Sequence, residues 1–85
     1  MNRKYYPIGT VVTLQGGNRP IMIYGRKQVQ ANTGTEWDYV ACLYPEGNLG
    51  EDYNIFFQQE EVEEVHHLGY ASALEERMQE LLSQA

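Results

Sequence analysis

The sequence predicts a mainly β fold with a C-terminal helix, built as a small, partly open barrel of about five strands. Short runs of β-branched and aromatic residues alternate with glycine-rich turns, and the final residues have helical periodicity. At 85 residues, the chain is long enough for one small core. We therefore predict a β-barrel domain at residues 1–70 and, at residues 71–85, an amphipathic helix appended to the same domain.

The first two strands are predicted at Thr10–Leu14 and Ile21–Tyr24. Both runs are rich in β-branched or apolar residues, and the turn cluster Gln15–Pro20 between them contains two glycines that can adopt positive φ. Gly25 is expected to close the second strand. The polar stretch Arg26–Glu36 is then predicted to be an exposed loop.

A central strand is predicted at Trp37–Tyr44, because apolar residues occur on both of its alternating faces. Ile55–Gln58 is the fourth strand, and a single helical turn from Gln59 leads into an edge strand at Glu64–Leu68. Five short strands with one helical turn before the last are typical of an SH3-like barrel. The apolar members of the strands predict a core that includes Val11, Ile23, Trp37, Tyr39, Leu43 and Phe56.

The C-terminal helix is predicted from its start signal and its spacing. Ser72 is a suitable N-cap, and Glu75 three residues later completes a capping-box pattern. Four apolar residues then recur at i, i+4, i+7 and i+8, namely Leu74, Met78, Leu81 and Leu82. So short a helix needs a surface to pack on, which is either its own barrel or another chain. The stripe is a candidate protein-binding surface, for a different partner or for a second copy in a weak homodimer.

Charge is divided unevenly along the chain. Residues 1–35 carry five basic and no acidic residues, whereas residues 36–85 carry all twelve acidic residues and one arginine, which gives a net charge of −6. The two halves are expected to pair within one sheet and neutralise each other. The acidic balance predicts no binding to nucleic acid and no attraction to membrane surfaces.

Catalysis is not expected, because the chain shows no nucleophile–base pair, no metal-ligand spacing and no phosphate-binding glycine loop. Cys42 lies within an apolar run and is predicted to be a buried thiol. His66 and His67 are adjacent on a strand, so their rings point to opposite faces and are poorly placed to share a metal ion. We predict no enzyme activity, no cofactor and no metal.

The segment from Tyr44 to Gly50 is the second candidate binding surface. It is rich in turn-forming residues and lies between two predicted strands, where small β domains often place a functional loop. Either its residues only form the turn, or three of them present a polar recognition surface together with Asn54, which follows the segment. The four residues of that surface are Tyr44, Glu46, Asn48 and Asn54. Both interpretations are open at this point.

The N-terminal residues bear on the cellular location of the protein. They lack the apolar core of a signal peptide, and no apolar run approaches the ~20 residues of a membrane span, so a cytoplasmic protein without membrane insertion is expected.

The alternative to a protein-binding role is a small β barrel that binds nucleic acid. Its stacking and phosphate contacts would come from Tyr5, Tyr6, Tyr24, Arg3, Lys4, Arg26 and Lys27.

Several motifs also resemble a known family. They are Tyr6–Gly17, Met22–Arg26, the block Asp38–Gly50 with its Tyr-Pro-Glu-Gly-Asn core, Asn54–Phe57 and Val62–Tyr70. Over about Tyr6 to Tyr70 the chain is similar to the domain of unknown function 4176 family, small accessory proteins encoded beside LXG toxins in Gram-positive bacteria. The resemblance implies a non-enzymatic adaptor that assists export of an LXG-type toxin by type VII secretion. Its implied partner is a helical toxin targeting domain.

Overall fold

Five β-strands followed by one α-helix form the described part of the chain, residues 4–84 of the computed structural model. The elements are β1 (Val11–Leu14), β2 (Ile21–Val29), β3 (Glu36–Leu43), β4 (Ile55–Phe57), β5 (Val62–His67) and α1 (Ala73–Gln84). Short 3-10 turns occur at Glu51–Tyr53 and Gln59–Glu61. The predicted fold class, mainly β with a C-terminal helix, is confirmed.

The strands form one open sheet in the order β4-β3-β2-β1-β5, and every neighbouring pair is antiparallel. The chain passes from one edge strand, β4, to the other, β5, through the 3-10 turn at Gln59–Glu61. Reciprocal bonds between Gln58 and Glu61 cap this turn: each side chain bonds the other residue's backbone N–H. The single helical turn before an edge strand is therefore confirmed, although β5 begins two residues before the predicted Glu64.

Strand β2 is longer than expected, and the prediction of a loop from Arg26 onward was wrong. The register between β2 and β3 shifts between Ile23 and Gly25, so the strand is bulged there and then continues to Val29. A Cβ atom at Gly25 would lie 2.6 Å from Cγ1 of Val40, so this close approach of the strands requires glycine. Gly25 bends the strand instead of ending it.

The core lies between one face of the sheet, the N-terminal segment and α1. Its buried members are Tyr5, Val12, Ile21, Ile23, Tyr39, Ala41, Phe57 and Leu82. Tyr39 pairs with Phe57 across β3 and β4, and their stacked rings have centroids 5.2 Å apart. This register excludes Phe56 from the central cluster, because adjacent strand residues point to opposite faces.

The predicted core is therefore correct in part. Ile23 and Tyr39 belong to the cluster, Leu43 packs against it, and Val11 is buried outside it. Trp37 and Phe56 are only half-buried, and their ring centroids lie 6.4 Å apart. The prediction was wrong for these two residues.

Candidate protein-binding surface

The predicted apolar stripe of α1 is divided between the core and the surface. Leu82 is 5% exposed and belongs to the core cluster, so the helix packs on its own sheet. Leu74, Met78 and Leu81 are 82%, 40% and 56% exposed. We call these three residues the outer flank of α1. They share one side of the helix because residues at i, i+4 and i+7 recur at nearly full turns.

Mostly polar groups hold the neighbouring side of α1 against the rest of the chain. The Ser72 hydroxyl accepts a hydrogen bond from the Glu75 N–H at 3.3 Å, which confirms the predicted N-cap. Glu75 forms a bidentate ion pair with Arg26 of β2. Near the C-terminal end, Lys27 donates from Nζ to the carbonyl oxygen of Leu82 at 3.0 Å, where a cation suits the helix dipole. These contacts fix the rotation of the helix about its axis.

Gln79 links the same side of α1 to the N-terminal segment. Its Oε1 accepts from the Tyr5 N–H at 2.9 Å, and its Nε2 donates to the Tyr5 carbonyl at 2.7 Å. The same Nε2 lies 2.6 Å from Oε2 of Glu75. Hydrogen bonding from Arg26 holds the pKa of Glu75 below its ordinary value, with a smaller contribution from Gln79, although burial acts in the opposite direction. Glu75 is therefore held as a carboxylate.

The sequence did not predict which side of α1 packs against the sheet and the N-terminal segment, a side that we call the docking face. Glu75, Gln79 and Leu82 are spaced at i, i+4 and i+7, which would place them on one side of a helix. That signal was available, but two of the three residues are polar, and apolar periodicity alone favours the neighbouring stripe. Recognising the docking face required knowledge that Arg26 lies opposite it.

In the loop after β3, the predicted site residues make hydrogen bonds within the chain. Glu46 is exposed and accepts from Arg19 at 2.6 Å, and this hydrogen bond is the main cause that lowers the pKa of Glu46. The Asn48 Oδ1 accepts from the Gly50 N–H at 3.1 Å. Half-buried Asn54 accepts from the Tyr24 hydroxyl at 2.5 Å. These three side chains thus have a structural role, and their part in partner binding stays a prediction.

Tyr44, the fourth predicted residue of this loop, is exposed, and the bond between Tyr44 and Pro45 is cis. Gly47 has φ of 87°, a conformation that glycine adopts without strain, and its N–H donates to the Leu43 carbonyl at 2.7 Å. The turn is therefore well defined. It presents the Tyr44 ring to solvent at the edge of the loop.

The residues of the predicted nucleic-acid strip are largely engaged elsewhere. Arg26 pairs with Glu75, and Lys27 contacts the end of α1. Tyr5 is buried against Tyr39, with ring centroids 5.8 Å apart. Of the other members, Lys4 is exposed, Tyr6 and Tyr24 are half-buried, and Arg3 lies outside the described residues. The structure does not bring the described members together into one exposed strip.

Of the two adjacent histidines, His66 has structural partners. His66 Nε2 lies 2.6 Å from the Thr13 hydroxyl, and its Nδ1 lies 3.9 Å from a Glu64 oxygen. Within residues 4–84, no three His, Cys, Asp or Glu side chains are close enough to hold a metal ion. Cys42 is buried, as predicted. Across the same residues, no helix has the length and apolar character needed to cross a membrane.

The fold and this surface define a small open-sheet protein with a docked C-terminal helix. The family model described as Domain of unknown function (DUF4176) matches residues 5–78, so the chain belongs to that family. This confirms the resemblance seen in the sequence and extends it into α1. No curated protein and no solved structure shows significant similarity to the chain.

Proposed function

We propose that this protein is a non-enzymatic adaptor that binds the helical targeting domain of an LXG-type toxin and assists its export by type VII secretion. The observation that carries the proposal is the outer flank of α1, where Leu74, Met78 and Leu81 are exposed on a helix fixed by its other side. The choice of partner rests on the resemblance of the sequence to the family, which implies an LXG toxin; the family match itself shows membership alone. The cytoplasm is the proposed place of this encounter.

A helix is the partner that suits the outer flank best. Apolar residues at i, i+4 and i+7 form a ridge, and ridges of this kind pack into the grooves between side chains of a second helix. Because α1 is already docked on the sheet, it loses little conformational entropy when a partner binds. A preformed, correctly rotated helix therefore makes the flank an efficient anchor.

Three side chains are too few for a stable complex on their own, since specific interfaces bury about 800 Å² per partner. Leu68 and Tyr70 are also exposed and lie in the short segment that leads into α1. We propose that they extend the same interface beyond the helix. The loop residues Tyr44, Glu46, Asn48 and Asn54 are the second candidate surface.

Adjacent leucines provide a matched test of the flank. Leu81→Asp places a carboxylate on the outer flank, whereas Leu82→Asp places one in the core cluster. Leu81→Asp should abolish co-purification with the LXG-type toxin encoded beside this protein, because a desolvated carboxylate in an interface is costly. It should leave the circular dichroism spectrum of the isolated protein unchanged. Leu82→Asp should unfold the isolated protein. Full toxin binding by a folded Leu81→Asp variant would refute the role of the flank.

Two further measurements separate the alternatives. A Glu46→Ala, Asn48→Ala variant tests the loop, and retained binding would assign recognition to the helix alone. Sedimentation of the isolated protein tests whether a second copy occupies the flank, since such a dimer would dissociate in Leu81→Asp. If the wild type does not bind the toxin, the adaptor proposal fails. A changed intact mass of the toxin after incubation would contradict a non-enzymatic role.

A further inference from the structure

The N-terminal segment, residues 4–7, has no regular secondary structure, yet the backbone of both its tyrosines is held by side chains. The carboxamide of Gln79 bonds both the N–H and the carbonyl oxygen of Tyr5. The Tyr6 N–H donates to the Tyr39 hydroxyl at 2.8 Å, and the Tyr6 carbonyl accepts from Nη1 of Arg26 at 3.3 Å. We call Arg26, Tyr39 and Gln79 the clamp. The clamp bonds the backbone of two successive residues, as a neighbouring strand would.

The two aromatic rings of the segment are placed by the same clamp. The Tyr5 ring is 7% exposed and meets the Tyr39 ring edge-on, with centroids 5.8 Å apart. The Tyr6 ring is half-buried, with its centroid 5.9 Å from that of Tyr39. Pro7 favours extended backbone at Tyr6, and its carbonyl accepts from the Thr10 hydroxyl at 2.7 Å. The clamp therefore suits an extended segment in which two aromatic residues precede a proline.

The N-terminal segment leaves space beside it. A hollow of about 350 Å³ is bounded by this segment, by the residues that lead into α1 and by α1 itself. Its lining includes the apolar residues Pro7, Leu68 and Ala71. A segment that occupied the clamp and also filled this hollow would bury more apolar surface than the chain's own residues do. Such a segment would displace them.

We propose that the clamp is a binding site for an extended segment of a partner protein, in which two adjacent aromatic residues precede a proline. In the free protein, residues 4–7 of the chain itself occupy the site, so the partner binds by exchange. A second copy would bring only the same segment and leave the hollow unfilled, which favours a different protein as the partner. The clamp contains no residue of the outer flank, so this proposal does not depend on the adaptor role.

The test uses the full chain and the peptide acetyl-Lys-Tyr-Tyr-Pro-Ile-amide, which copies residues 4–8. The control peptide has alanine in place of the first tyrosine. Calorimetry should show that the tyrosine peptide binds the Tyr5→Ala variant at least about tenfold more tightly than the wild type, whose own segment competes. The alanine peptide should bind neither protein. If Tyr5→Ala is unfolded on its own, the tyrosine peptide should restore its circular dichroism spectrum.

Matched changes on α1 locate the site, each combined with Tyr5→Ala. Gln79→Ala removes two hydrogen bonds to the peptide backbone and should weaken binding about tenfold. Glu80→Ala changes the next, exposed residue and should have little effect. Methylation of the first tyrosine N–H of the peptide removes one of the same bonds without changing the protein, and it should also weaken binding.

Three results would overturn the proposal. In the first, Tyr5→Ala binds neither peptide or binds both equally. In the second, Gln79→Ala and Glu80→Ala weaken binding to the same extent, or the methylated peptide binds as well as the unmodified one. In the third, sedimentation shows a wild-type dimer that the tyrosine peptide dissociates, which would assign the clamp to a second copy instead of a different protein.

Discussion

The guanidinium of Arg26 lies 2.5 and 3.0 Å from the two carboxylate oxygens of Glu75 and joins β2 to α1. The two side chains are only 6% and 12% exposed. A buried pair of this kind adds little net stability over an apolar pair, but it penalises any arrangement in which one partner is left unpaired. It therefore selects the rotation of α1 that directs Leu74 and Leu81 outward.

Removing one partner of this pair should be strongly destabilising. Glu75→Ala leaves the Arg26 charge uncompensated and should cost about 3–5 kcal/mol in the free energy of unfolding. Glu76→Ala, one residue along on an exposed position, should change stability by less than about 0.5 kcal/mol. Urea denaturation of both variants measures the difference. Equal effects would show that the ion pair does not hold the helix.

The same pair predicts a dependence of stability on acid. Arg26 lowers the folded-state pKa of Glu75 below its ordinary value of 4.5. Between these two pKa values, the unfolded chain therefore binds a proton at Glu75 more readily than the folded chain does. The contribution of the ion pair to the free energy of unfolding is complete above the ordinary pKa of Glu75. It is lost as the pH falls through the lower, folded-state pKa.

Unfolding free energies measured from about pH 6 down to about pH 3 should therefore fall more steeply for the wild type than for Glu75→Gln. Glu46, whose pKa is also lowered, is present in both proteins and does not affect the comparison. Parallel pH curves for the two proteins would argue against this assignment.

Two adjacent phenylalanines test the register of β4. Phe57 is fully buried against Tyr39, whereas Phe56 is half-buried beside Trp37. Phe57→Ala should lower the free energy of unfolding by about 3–5 kcal/mol. Phe56→Ala should lower it clearly less, because folding removes less apolar surface from water at Phe56. Thermal or urea unfolding gives both values. The reverse order would mean that β4 pairs with β3 one residue out of register.

Nucleic acid should not bind at physiological salt. Arg26 and Lys27 both make contacts with α1, and the net charge is −6. Titration with mixed single-stranded oligonucleotides, followed by fluorescence anisotropy, checks this. Micromolar binding that falls steeply with salt and is lost when Lys4 is neutralised would favour the alternative function instead.

The sequence identified most of the fold, because its signals were local. The alternation of β3 on both faces, the turn before β5 and the Ser72 cap each depend on residues within a few positions of one another. The extension of β2 was missed because the bulge at Gly25 depends on Val40 of the neighbouring strand. Local patterns do not contain that information.

The candidate site was predictable only in outline. A helical stripe was visible, but its division between Leu81 and Leu82 depends on how Arg26 orients the helix. The pairs Arg19–Glu46 and Arg26–Glu75 do join the basic and acidic halves of the chain. They connect a turn to a loop and a strand to the helix, however, and not two strands of the sheet as expected. Which acid meets which base is set by the tertiary fold, since partners are 27 and 49 residues apart.

Site-specific photo-crosslinking tests the proposed adaptor role most directly. The crosslinking residue p-benzoyl-L-phenylalanine replaces Leu81 on the outer flank in one protein and Glu63 on β5 in another, and each is irradiated with the purified targeting domain of the neighbouring toxin. Both positions are exposed, so neither change should disturb the fold. The account predicts a covalent complex from position 81 and none from position 63. A complex from position 63 alone, or from neither position, would contradict it.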